Sequence, residues 1–374
     1  MTQVSSGPVT AFAPGRINLI GEHTDYNEGW VLPAAIRQGI TFSVEPNGKV
    51  DSGWIRADDL GETIFFDLSS WTPKPGSWEN YVLGLCREIR MHGGTVGGFH
   101  AHFSGTVPIG AGLSSSAALL CASALAIDHC FGLDFPREKW MTLTQATEHR
   151  YVGTQCGLMD MFASLFGRPN HVMWFDCRNI SHKYIPLHLG NYQLLLVDTR
   201  VSHQLAGSEY NTRRRECEEA LAVIRTAFPE ICTLRDVTLE MLAQCRNSLP
   251  ENLVHRAKYV IEENARVFQA VQCLEKGDMA GLGKCLLDTH TGLRDDYAVS
   301  CPELDFLVGF AARSPEALGA RMMGGGFGGC TLHLVEKNSK EGYLARIQEA
   351  FFGHFGMLPP AYPVEASAGA HLLA

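Results

Sequence analysis

Apolar and polar positions change rhythm along this chain. From residue 8 to 66 the apolar residues fall in short runs, and Ile17 to Ile20, Val31 to Ala35, Ile40 to Glu45 and Ile64 to Phe66 read as strands. A helix is expected from Glu79 to Met91, then a strand from Gly97 to Phe103. An Ala/Leu-rich stretch after the serines at 114–116 predicts a helix to about Phe131, and a second helix covers roughly Pro136 to Val152. Val172–Phe175, Lys183–Pro186 and Tyr192–Asp198 read as three strands. Helical spacing then dominates, from about Gly207 to Ala227 and near 236–247, 251–275, 278–290 and 302–313. Val254, Ala257, Ile261 and Ala265 form the core-facing stripe of the 251–275 helix. A glycine loop from Met322 to Gly329 precedes a strand at Thr331–Val335, and a helix over 339–354 and a strand near 364–367 close the pattern. There are no internal repeats and no long linker. The pattern predicts a two-domain α/β protein, divided between 175 and 200, as residues 1–180 and 181–374.

The densest chemical signal lies in Gly105–Ala126. Gly110 and Gly112 permit positive φ and close approach of a ligand, and Ser114, Ser115 and Ser116 open the helix that follows. A helix N-terminus has unpaired N–H groups and partial positive charge, so the junction suits an anion, most commonly phosphate. An ordinary loop-to-helix junction with a serine cap is the alternative. It is not a Walker A loop, because Ala111 and Gly112 stand where Lys and Ser/Thr are required. Gly324, Gly326 and Gly329 spell G-x-G-x-x-G, but a strand follows them instead of a helix, which excludes a dinucleotide site there.

A second cluster runs from Gly15 to Asn27. It gathers Arg16, Glu22, His23, Thr24, Asp25 and Asn27 between apolar segments, which suits a ligand rich in hydroxyls. Asp160 is an isolated carboxylate in an apolar run, either a helix cap or a functional group. Trp78 and Tyr81 suit stacking on a nucleobase or packing at a helix start. His100 and His102 share one strand face without a third ligand, a weak metal motif. Most of Arg213–Arg215 reads as a solvated helical face.

Composition narrows the classes. A formal charge of -9 and the lack of any other dense basic run argue against nucleic acid. No apolar run approaches a membrane span, and the polar start of the chain does not read as a signal peptide. The 12 cysteines are scattered without a C-x-x-C pair, so reduced thiols in a cytoplasmic protein are expected.

Several of these segments together resemble one family. Gly15–Asn27 is similar to the signature of galactokinases. Pro108–Ala117 and Met323–Cys330 resemble the second and third motifs of the GHMP small-molecule kinases, and further matches lie at Cys156–Asp160, Ser208–Cys217 and Arg294–Asp305. The resemblance implies a two-domain α/β (α+β) GHMP kinase-like fold of mixed sheets and helices, with the active site in the interdomain cleft. It implies that Glu22, His23, Asp25, Gly157, Asp160 and Tyr210 hold galactose. Gly110, Ala111, Gly112, Leu113, Ser114, Ser115 and Ser116 would cradle the phosphates of ATP, with Trp78 and Tyr81 near adenine. Ser116 and Glu148 would serve Mg2+. Arg16 would stabilise the transferring phosphoryl group, and Asp160 would take or orient the proton of the attacking hydroxyl. The implied reaction makes galactose 1-phosphate and ADP. The alternatives are a kinase for another sugar such as N-acetylgalactosamine, or a non-catalytic galactose- and ATP-binding regulator, against which the intact serines speak. A monomer or weak oligomer is expected. Thr154 and Met161 stand where more polar or smaller neighbours of Asp160 are expected.

Overall fold

The first strand, β1 (Val9–Asn18), already carries the site's arginine into the middle of a sheet. Its inward positions Val9, Ala11 and Ala13 are buried and alternate with outward ones, so the strand begins well before Ile17, while Leu19 and Ile20 lie beyond its end. After β2 (Trp30–Val31), the two separately expected strands at 31–35 and 40–45 are largely one, β3 (Pro33–Pro46). It stays paired with β1 across a register shift between Pro14 and Arg16. β4 (Ser52–Ala57) and β5 (Glu62–Asp67) follow, then α1 (Glu79–Met91) and β6 (Phe99–Gly105). β4 escaped the sequence pattern because only Ile55 and Ala57 in it are buried. The computed structural model describes residues 7–108, 110–201 and 206–374.

Four helices cover this sheet in part: α1, α2 (Ser115–Phe131), α3 (Arg137–Thr147) and α4 (Met159–Phe166). α2 packs on β1 and β3. Its buried residues include most of Ala117–Ala124 and extend to Ile127 and Cys130, so it lies within the core instead of on its surface. The helix expected through Val152 leaves α geometry at Thr147 and becomes a π turn, Glu148–Val152, closed by Gly153 at φ 92°. β7 (His171–Asp176) and β8 (Ser181–Pro186) join β2 in a three-stranded sheet.

The later half contributes β9 (Tyr192–Asp198), α5 (Ala206–Ala227), α6 (Leu239–Cys245), α7 (Glu251–Lys276), α8 (Met279–Asp295) and α9 (Pro302–Arg313). β10 (Ala317–Met322), β11 (Cys330–Glu336), α10 (Lys340–Phe355), β12 (Ala361–Pro363) and β13 (His371–Leu372) complete it. The strand expected at 364–367 is absent. β12 ends before it, Ala366 forms only an isolated bridge to Ile36, and β13 comes after it. The second sheet runs β10-β11-β9-β12, with α8 and α9 against β10. β13 returns to the first sheet, whose order is β13-β1-β3-β6-β4-β5. One apolar cluster joins the halves: Ile17, Leu19 and Ile20 meet Leu194, Val267, Leu282 and Met323. All 12 cysteines are free thiols, buried except Cys232 and Cys273. Among the described residues no helix is long and apolar enough to cross a membrane.

Candidate active site

The segment after β1 is buried almost throughout, although it is rich in charge. A buried loop needs partners for its backbone, and the later half of the chain supplies them. Gly21 N–H donates to Glu263 at 2.8 Å, the Tyr259 hydroxyl donates to the Glu22 carbonyl at 3.0 Å, and Trp30 N–H donates to Asn264 at 3.0 Å. All three partners lie on α7. From β10, fully buried Arg321 donates to the carbonyls of Leu19 and Asn18 and pairs with Glu22 at 3.0 Å. Glu22 also accepts from Asn18 at 3.0 Å and from the backbone N–H of Gly324 at 2.8 Å. One carboxylate thus joins the polar loop to the second glycine loop.

Arg16 occupies the centre. Its Nε donates to Asp160 at 2.9 Å and its Nη1 to the Gly112 carbonyl at 2.6 Å, and its backbone N–H bonds the Leu113 carbonyl. Asp160, in the first turn of α4, also accepts from the Ser114 hydroxyl at 2.5 Å. Leu158, not Asp160, is the cap of that helix. The serines therefore diverge. Ser114 is left-handed (φ 57°) and spends its hydroxyl on Asp160, while Ser115 and Ser116 line the cleft.

A cavity of about 160 Å³ collects Arg16, Glu22, His23, Asp25, Tyr81, Ser116, Glu148, Thr154, Cys156, Met159, Asp160, Tyr210, Gly324 and Gly325. Gly157 stands behind Asp25, where any Cβ would meet the carboxylate at 2.1 Å. An adjoining cleft of about 470 Å³ is floored by Gly110, Gly112, Ser115 and Ser116 and roofed by Met323 and Gly325–Gly329. A third, largely apolar pocket of about 230 Å³ adds Trp78, Phe103, Val107, Leu119 and Leu60, with Tyr81 and Ser116 shared. Ala111 and Leu113, read as part of the phosphate cradle, instead turn into the core and do not line the cleft. His100 stacks on Trp54 and His102 bonds Asp58, both away from this region.

Glu22, Asp25 and Glu148 line one cavity with Arg16 but differ in how readily they ionise. Burial pushes Asp25 up to about 7, with the Asp160 charge adding to it. Burial likewise raises Glu148 to about 7 against a hydrogen bond from Ser116. Burial also works against an ionised Glu22, but Arg321 and Arg16 outweigh it and hold that carboxyl below its ordinary range. Arg16 is raised because Asp160 and Glu22 overcome its burial. Burial lowers His23 to about 4, which keeps it neutral. The Ser116–Glu148 pair offers hard oxygen donors at the border of cavity and cleft. No group of three or more His, Cys, Asp or Glu side chains forms a metal cage among the described residues. Two oxygen donors beside the glycine cleft fit Mg2+, which keeps waters and shares substrate phosphates instead of requiring an all-protein cage.

The arginine triplet of α5 departs from the solvated face read for it. Arg213 is buried and donates to the carbonyls of Tyr297 and Ala298. Arg214 donates to the Gln155 carbonyl at 2.9 Å. Only Arg215, paired with Glu219, fits the solvated face expected of most of the triplet.

An arginine–carboxylate pair between a polar cavity and a cleft between two glycine loops is the architecture of a small-molecule phosphotransferase. Family models agree in class. The GHMP kinases N terminal domain matches residues 80–168, the GHMP kinases C terminal domain residues 270–353, and the galactokinase galactose-binding signature residues 2–46. A galactokinase of Thermotoga neapolitana is 39% identical over 357 residues, covering 96% of this chain and 98% of that one. The crystal structure of Lactococcus lactis galactokinase complexed with galactose superposes with a TM-score of 0.94 at 33% identity, covering 98% of this chain and 96% of that one. Methanococcus jannaschii mevalonate kinase shares the fold at a TM-score of 0.68 and 15% identity, over 97% of this chain and 99% of that one. The chain belongs to the galactokinase family of the GHMP kinases.

Proposed function

We propose that this chain transfers the γ-phosphoryl group of ATP to the C1 hydroxyl of α-D-galactose. The observation that carries the reading is the Arg16–Asp160 pair at 2.9 Å, set where the acid-lined cavity opens onto the glycine cleft. The sugar occupies the cavity. Glu22, Asp25 and Asp160 accept from its hydroxyls, His23 and Tyr210 close its walls, and Gly157 leaves room behind Asp25. The phosphates lie along Gly110–Ser116 under the second glycine loop, and adenine enters the apolar pocket beside Trp78 and Tyr81. Asp160 takes or orients the C1 hydroxyl proton while Arg16 meets the charge that develops on the transferred group. Ser116 and Glu148 hold Mg2+, which when bound neutralises phosphate charge. Ionised Glu148 is the binding form, so metal and proton compete there. The same reading divides the chain near residue 180 into two units with the site between them, in a cytoplasmic protein that is a monomer or weak oligomer.

Coupled ADP release tests it, with ATP and Mg2+ against D-galactose, N-acetylgalactosamine, D-glucose, L-arabinose and mevalonate. Turnover on galactose alone, lost in Asp160→Ala, is expected. Turnover on a different member reassigns the substrate, and galactose binding without turnover makes the chain a regulator.

A further inference from the structure

His23 is the odd member of the polar cavity. It is a non-glycine residue at φ 62°, a conformation that persists only where surroundings hold it. Its ring is 3% exposed and packs 4.8 Å from the Tyr297 ring and 5.2 Å from the Tyr210 ring. Nδ1 meets the Tyr26 hydroxyl at 2.8 Å. That hydroxyl meets the Tyr297 hydroxyl at 2.7 Å, which in turn meets the Cys217 thiol at 3.0 Å. Nε2 is buried without an aligned hydrogen-bond partner, on a ring that lines the cavity.

Each phenol in such a chain owns one proton, so the direction chosen at one end passes to the other. Two directions are available. The chain runs from the thiol to Nδ1 and leaves Nε2 a donor, or it runs from Nδ1 to the thiol and leaves Nε2 an acceptor. The neighbouring acids are already acceptors for sugar hydroxyls, so a donor is the complementary group.

We infer that Cys217, Tyr297 and Tyr26 are positioning residues that lock His23 as the Nε2–H tautomer and aim that N–H at a sugar oxygen. The inference rests on the galactose reading of the cavity. It also explains why the later half of the chain reaches so far into the sugar side. Cys217 lies two turns beyond Tyr210 on α5, and Arg213 between them holds the Tyr297 carbonyl at 2.8 Å.

The test combines kinetics with 15N NMR of histidine-labelled protein, with His23→Gln identifying the resonances. In the parent, His23 is expected as a single Nε2–H tautomer. Tyr297→Phe keeps the ring and removes the link. It should mix the tautomers and raise the galactose KM by up to about tenfold, the scale of one neutral hydrogen bond, while the KM for ATP stays put. Cys217→Ala should do the same more weakly, and Cys217→Ser, which restores a donor, should return both readouts to the parent values. An Nδ1–H tautomer in the parent, or an unchanged tautomer and galactose KM in both Tyr297→Phe and Cys217→Ala, overturns the inference. If the parent fails to phosphorylate galactose, the substrate reading falls separately, because the tautomer is read without turnover.

Discussion

The two ends of this active site are built from different materials. The end we assign to the sugar is a buried loop held by side chains from distant elements: Tyr259, Glu263 and Asn264 on α7, and Arg321 on β10. The end we assign to the phosphates is backbone. Gly110, Gly112 and Ser114 on one loop, and Gly324, Gly326, Phe327, Gly328 and Gly329 on the other, all have positive φ. A sugar is recognised by the placement of acceptors and donors, and placement requires a rigid frame. Phosphates are recognised by charge and by N–H groups that any backbone carries. One end is therefore sensitive to which side chains are present, and the other to whether a side chain is present at all.

The largest effect should come where the ends meet. Asp160→Asn keeps the shape and removes the charge that Arg16 and Ser114 hold, and kcat on galactose should fall about 10³-fold. A normal kcat would remove Asp160 from the chemistry. Next is the frame of the sugar end. Arg321→Met leaves Glu22 buried without its strongest partner, and denaturant unfolding should show a loss of about 3–5 kcal/mol.

A third effect is set by pH. Asp25 and Glu148 sit at about 7 in the folded chain and near ordinary carboxyl values when it unfolds. The folded state therefore holds more protons between roughly pH 4 and 7. The stability these two groups contribute is fully present below that window and is lost as pH rises through it. Glu148→Gln should make the ligand-free protein more stable than the parent at pH 8, by on the order of 3 kcal/mol, and equal to it at pH 4. Equal stability at both values would mean that Glu148 pays no burial penalty. The smallest effect belongs to the backbone end. Gly112→Ala at φ 72° costs about 1 kcal/mol of strain and should raise the KM for ATP several-fold while leaving that for galactose alone. The opposite split would erase the contrast between the two ends.

The chemistry was more legible in the sequence than the frame that holds it. Charged residues packed between apolar segments at 15–27, the serines at 114–116 and lone Asp160 all stand out locally. Glu263 and Asn264 do not, because they interleave with the core stripe of α7 and look like its wet face. They are buried by a loop more than two hundred residues earlier in the chain. Arg213 and Arg214 were hidden by the same geometry on α5. Arg321 sits among Gly319, Ala320 and the glycine loop, in a strand the pattern did not resolve. β4 and β13 are strands because of their neighbours more than their own residues. Side-chain partners drawn from opposite ends of a chain leave no spacing to read.

The last strand has a consequence for how the molecule is made. β13 supplies the outer neighbour of β1 through Ala11–Leu372 and Phe12–His371. During synthesis β1 emerges long before β13, so the edge that β13 covers stays bare until residue 372 has been made. Until then that edge is open to stray pairing, and the strand that carries Arg16 completes its sheet only when β13 docks.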